Sequence, residues 1–128
     1  MGIANGENCL IELSPFPSKN TSIWKYGSDI GYANRAEMEK SLLPDRIDFI
    51  RKLILENTPA FVICYGVGKM KYWSMLLNNQ VPQKDSCENR TLYSSSIGNS
   101  KVVIVQHPCS RGKWDYFHGV GKKLRNRQ

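Results

Sequence analysis

The sequence predicts an α/β fold: a three-layer αβα arrangement with a small, mostly parallel central sheet and a C-terminal hairpin, strand and helix. Three observations carry this. Phe61-Val62-Ile63-Cys64-Tyr65 and Val102-Val103-Ile104-Val105 are uninterrupted apolar runs, as strands buried on both faces require. Segments with helical spacing of apolar residues stand between them and after them. Gly98-Asn99, between Thr91–Ile97 and Lys101–Gln106, is a hairpin signal. Strand, loop, helices, strand, glycine turn, helix, hairpin and helix in that order make a layered α/β pattern. Right-handed crossovers would put helices on both sheet faces.

Taken in order, Cys9-Leu10-Ile11-Glu12-Leu13 is a short strand candidate, stopped by Ser14-Pro15-Phe16-Pro17-Ser18. Two prolines around an aromatic stiffen that loop, because each fixes its own φ and restrains its predecessor. Residues 19–33 read as irregular. Ala33–Leu43 is helix-compatible, and Pro44 suits the first turn of a second helix. In that helix Ile47, Ile50, Leu53 and Ile54 share a face, and Asn57–Pro59 ends it. The strand Phe61–Tyr65 runs into Gly66-Val67-Gly68-Lys69 and a helix over Met70–Leu77. Val81–Arg90 reads as a polar loop. The closing helix, from about Trp114, buries Phe117, Val120 and Leu124. Gly119 and Gly121 weaken that helix by roughly 1 kcal/mol each relative to Ala, which close packing on the sheet would explain.

Length points to a single domain over residues 1–128, with a basic C-terminal segment at 111–128. The net charge of +7 is concentrated there, where six Lys or Arg face one Asp. Such a segment is a solvated tail or a phosphate-contacting surface. No stretch approaches the roughly 18 apolar residues of a membrane span, and the first residues lack a signal-peptide pattern. The expectation is a cytoplasmic protein with no membrane partner. Its four cysteines show no C-x-x-C spacing and are expected to be reduced thiols, with Cys64 packed as a small hydrophobe.

His107-Pro108-Cys109-Ser110 directly follows the second apolar run and opens the basic segment. Open α/β sheets place ligand chemistry beyond the carboxyl ends of their strands. A histidine there, backed by Arg111, Lys113, Lys122, Lys123, Arg125 and Arg127, suits an anionic ligand; a terminating turn would also use His-Pro. Gly66 and Gly68 suggest a nucleotide loop, but the third glycine of G-x-G-x-x-G is replaced by Lys71. The P-loop pattern also fails, since Met70 follows Lys69. A tight strand-to-helix turn is the favoured reading. His107 and His118 lack further ligands for a metal site, and no cofactor is expected.

Together, Asn8–Ser18, Arg46–Tyr65 with Gly66, Val102–Ser110 and Tyr116–Gly121 resemble the uracil-DNA glycosylase superfamily. The His-Pro loop is the specific element, with Cys109 where the family usually has Ser. The resemblance implies that His107 is the catalytic residue, donating to the base oxygen that gains charge as the glycosidic bond breaks. It implies that Glu12, Ser14, Phe16 and Pro17 line the base pocket. Ser110, Arg111, Lys113, Lys122, Lys123 and Arg125 would contact DNA around a flipped base. Glu12 stands where some branches use Asn, and Glu accepts without donating, so uracil selectivity does not carry over. The family's glycine-rich first motif, which positions the attacking water, has no counterpart in the seven residues before Asn8.

The expectation is a DNA-binding relative of these enzymes with weak or absent base excision. The alternatives are a small interaction or assembly module, a fragment of an active glycosylase, and an enzyme on a small phosphorylated ligand. A sheet lacking a central strand would leave an open edge, so a homodimer is expected. Its interface would be that edge, or apolar side chains near Trp24 and Trp73.

Overall fold

A computed structural model describes residues 8–14, 16, 23–27, 29–108 and 114–126. The chain forms two compact units, Met1–Ile47 and Asp48–Gln128.

In the first unit, residues 8–12 form no strand, contrary to the expectation for Cys9–Leu13. The reason is local. Leu10 and Ile11 are exposed, so the segment has no buried face to drive pairing. The Arg46 guanidinium takes its carbonyls instead: Nε and Nη2 donate to the Glu12 oxygen at 3.0 and 2.6 Å, and Nε donates to the Leu13 oxygen at 3.1 Å.

The helix α1 spans Arg35–Asn57 without a break, so the two expected helices are one, with Pro44 inside it. An interior proline forgoes one ladder bond and typically costs about 3 kcal/mol. Continuous burial of Met38, Leu43, Ile47 and Ile54 along the helix offsets that loss. Its start is capped on both sides: the Asn34 Oδ1 accepts from the Glu37 N–H at 2.9 Å, and the Glu37 carboxylate accepts from the Ala33 N–H at 2.8 Å. At the other end the Thr58 N–H donates to the Ile54 carbonyl at 2.9 Å with Thr58 at φ 43, an αL cap before Pro59.

The second unit holds a four-stranded sheet in the order β1-β4-β3-β2. Its strands are β1 (Phe61–Tyr65), β2 (Gln83–Cys87), β3 (Arg90–Ile97) and β4 (Ser100–Val105). The sheet is mixed, not mostly parallel: β1 and β4 run parallel, while β4–β3 and β3–β2 are antiparallel. The difference comes from β2, which lies in the segment expected to be a loop. Its sequence, Gln-Lys-Asp-Ser-Cys, is polar because it is an edge strand half open to water. A two-residue turn at Glu88-Asn89, with φ of 48 and 57, joins it to β3 in the type I′ manner. The Gly98-Asn99 turn, with positive φ at Gly98, joins β3 to β4 as expected.

Both faces of β4 are covered, since Val102, Val103, Ile104 and Val105 are all buried. On one face Val103, Val105 and Leu92 meet Tyr116 and Val120 of α3 (Trp114–Asn126), with Phe117, Leu124 and Cys87 around them. A helix α2 (Met70–Leu76) follows β1 through a 3-10 turn at Val67–Lys69. Trp73 in α2 is buried and its indole N–H donates to the Gly66 carbonyl at 2.8 Å, so it belongs to the core and not to a docking surface. No described helix is long and apolar enough to cross a membrane.

Candidate functional site

Parallel pairing of β1 with β4 decides what lies at one end of the sheet. The register sets Tyr65 opposite Val105, and the Gly66 N–H donates to the Val105 carbonyl at 2.8 Å. The turn after β1 and the loop after β4 therefore leave the sheet side by side, where parallel sheets place their ligands. One contributes Gly66 to Lys69 and then Lys71 and Tyr72; the other contributes Gln106, His107 and Pro108.

Gly66 sits at φ 105, a conformation side chains rarely adopt. Its N–H is used by β4, and its carbonyl accepts from Trp73 and from the Lys69 N–H at 3.1 Å. The turn is thus a structural device with its Gly66 backbone groups committed, not a phosphate cradle. What it offers a ligand is side chains. Lys69 and Lys71 each hold an ammonium 5.8 Å from the centre of the Tyr72 ring. Exposed Tyr65 and exposed His107 lie on the same end.

The loop after β4 is fastened from below. Tyr116 is buried; its hydroxyl accepts from the Gln106 N–H at 3.2 Å and donates to the Thr91 carbonyl at 3.1 Å. Burial pushes the Tyr116 phenol up, opposed in part by that Gln106 bond. The Gln106 side chain also donates to the Thr91 carbonyl at 3.3 Å. His107 is consequently displayed on an anchored main chain.

Set against known protein families, curated proteins and solved structures, the chain matches none.

The remaining expected site residues separate into groups. Glu12, Ser14 and Phe16 belong to the first unit, whereas His107 and the helix cations belong to the second. Ser14 donates to the Phe16 carbonyl at 3.4 Å, and the Phe16 ring meets Tyr26 edge-on at 5.4 Å in a trio completed by Trp24. The Trp24 indole is satisfied by the Gly27 and Tyr32 carbonyls at 2.7 and 3.2 Å. Pro17, Ser110, Arg111 and Lys113 lie outside the described residues. On α3, Lys122 and Arg125 are exposed. Lys123 is not equivalent to them: its ammonium binds the Asp85 carboxylate at 2.9 Å and the Ser86 carbonyl at 2.7 Å, tying α3 to β2. Among the described residues no group of His, Cys, Asp and Glu gathers as a metal site.

Sequence reasoning passed over Lys71 and Tyr72 because it tested the glycines for a phosphate motif. The signal was present as alternation, Lys69-Met70-Lys71-Tyr72, which interleaves cations with an aromatic.

Proposed function

We propose that the chain binds DNA with little sequence preference, as a relative of the uracil-DNA glycosylases with weak or absent base excision. The observation that carries this is the β1–β4 register, which sets the turn that leads to Lys69, Lys71 and Tyr72 next to the loop that bears His107 at one end of the sheet. Cations there neutralise phosphates, and the tyrosines offer stacking faces to unpaired bases. Lys122 and Arg125 extend the positive surface on α3.

In this reading His107 would donate a hydrogen bond to a leaving base, but excision also needs a group that positions water. The described parts of the two loops that leave β1 and β4 bring one side-chain amide, Gln106, which is tied to Thr91, and no carboxylate; the Glu88-Asn89 turn stands at the same end but beyond β3. Weak or absent excision is the expectation. Binding of a labelled single strand, compared between wild type and Lys69→Glu/Lys71→Glu, tests the reading; equal affinities reject it.

A second reading, self-assembly, is favoured by a different observation. β1 is an edge strand with no described strand on its outer side, it has no charged residue, and Ile63 and Tyr65 on it are 45% and 40% exposed. The other edge, β2, is protected by Lys84, Asp85 and the clasp to Lys123. An unprotected edge of this kind pairs readily with a second copy in an isologous dimer.

A further inference from the structure

A groove of about 380 Å³ lies between α2 and β3, lined by Met70, Ser74, Asn79, Gln80, Val81, Pro82 and Tyr93. Its volume falls within the roughly 300–1,000 Å³ of small-molecule sites. The walls follow from periodicity. Met70 and Ser74 are one helical turn apart on α2, and Tyr93 stands on β3 with Ser95 two residues on, on the same face. The end wall is the chain that leaves α2. There the Asn78 N–H donates to Met75 and the Asn79 N–H to Ser74, at 3.0 and 2.8 Å, with Asn78 at φ 56. Those two bonds are a Schellman cap, which needs one left-handed residue. Asn79 is a second, at φ 60, and it turns the chain so that Asn79, Gln80, Val81 and Pro82 all border the groove.

Gln80 is held in a defined orientation. Its Oε1 accepts from the Ser95 hydroxyl at 3.2 Å, which leaves the side-chain NH₂ as the outward donor. The polar groups of the lining are therefore neutral amides and hydroxyls, with no ionised side chain among them. The apolar part consists of Met70, the Tyr93 ring, Pro82 and Val81, the last 91% exposed. A mixed lining of aromatic surface, thioether and uncharged donors and acceptors fits a flat, neutral ring with a hydrogen-bonding edge. A carboxylate or phosphate would find no counter-charge inside.

We propose that this groove takes an unpaired nucleobase, packed against Tyr93 and Met70 and read at its edge by the Asn79 and Gln80 amides. The choice of a nucleobase among neutral heterocycles rests on the DNA-binding reading above.

The test is a titration of the ¹⁵N-labelled chain with uridine and adenosine, which carry the base and no phosphate. The expected result is movement of the Asn79 and Gln80 side-chain amide signals at millimolar nucleoside. Tyr93→Ala should abolish it. Gln80→Glu should weaken it about tenfold, equivalent to about 1.4 kcal/mol, since it keeps the acceptor for Ser95 and removes the outward donor. Unchanged dispersion of the remaining signals establishes that each variant is folded; should Tyr93→Ala unfold, Gln80→Glu alone decides. Silence of these amides, or an equal response to toluene or to an aromatic peptide, overturns the proposal. A single-stranded oligonucleotide added to the same sample reports the lysines separately, so loss of nucleoside binding with retained oligonucleotide binding rejects the groove and not the DNA reading.

Discussion

Gly119 of α3 lies flat against the Sγ of Cys87 on β2, so close that any Cβ at position 119 would overlap the sulfur. The helix gives up intrinsic stability there to approach the sheet. Gly121, two residues on, has nothing near the place where its Cβ would be. The two glycines thus make opposite predictions. Gly121→Ala should stabilise the protein by up to about 1 kcal/mol through helix propensity. Gly119→Ala should destabilise it by up to about 2 kcal/mol, since overpacking typically costs about 1–3 kcal/mol against a propensity gain of about 1. Adding Cys87→Ala to Gly119→Ala should recover most of the loss. Urea titrations of these three variants and the wild type check this.

Tyr116→Phe removes the hydroxyl that joins the Thr91 carbonyl to the Gln106 N–H. The ring stays packed, so the loss is polar and should be about 1–3 kcal/mol for the partners left behind. Amide exchange at Gln106 should rise with it. Unchanged stability and exchange would mean that the loop bearing His107 is not fastened by this residue.

The cations of α3 should not contribute equally to DNA affinity. Neutralising Lys122 or Arg125, which are exposed, should weaken binding and lower the salt slope by about 1 each. Neutralising Lys123 should affect affinity less and stability more, because its ammonium is engaged with Asp85 and Ser86. At 36% exposure its pair with Asp85 is partly screened, so the stability change should stay below about 1 kcal/mol. Binding isotherms and melting curves of the single variants separate the two effects.

Burial pushes the Cys64 thiol up to about 12 from an ordinary value of 9.0. The folded state disfavours the thiolate, so this contribution to stability is intact below about pH 9 and is lost as pH rises toward 12. The slope from one such group is at most about 1.4 kcal/mol per pH unit. Tyr116, shifted in the same direction, adds to the alkaline loss. Cys64→Val should flatten the decline in melting temperature above pH 9 without changing it at neutral pH. In the wild type Cys64 should react with alkylating reagents only on unfolding.

If β1 pairs with a second copy, light scattering at micromolar concentration should return twice the mass of one chain. Ile63→Lys, which places a charge on that edge, should return the monomer. A wild-type monomer would remove the assembly reading.

The parts of the fold that were legible in the sequence are those whose burial is complete or whose turns have one chemical solution. Val102–Val105 is a strand because nothing else buries such a run on both sides, whereas Phe61–Tyr65, expected to be buried likewise, keeps Ile63 and Tyr65 exposed as the edge strand beside it. Gly98-Asn99 is a hairpin because few dipeptides close a two-residue turn. β2 was illegible because an edge strand is half solvated and reads as a polar loop, although Glu88-Asn89 could have served as a second turn signal. Pro44 misled because its local preference is overridden by the buried face running from Met38 to Ile54. Leu10 and Ile11 misled in the opposite sense, as apolar residues left exposed. Of the candidate site, His107 stands after a strand, as read, and the turn that leads to Lys71 and Tyr72 comes to the same end only through the parallel register, which no local pattern encodes.

Fluorescence anisotropy of a labelled single strand across a salt series decides whether one end of the β1–β4 pair binds DNA through cations. Saturable binding is expected at about 50 mM salt, with an affinity that falls steadily as salt rises and a shallower slope for Lys69→Glu/Lys71→Glu. No binding at that salt, or a slope unaffected by those two substitutions, would refute DNA binding at this end of the sheet.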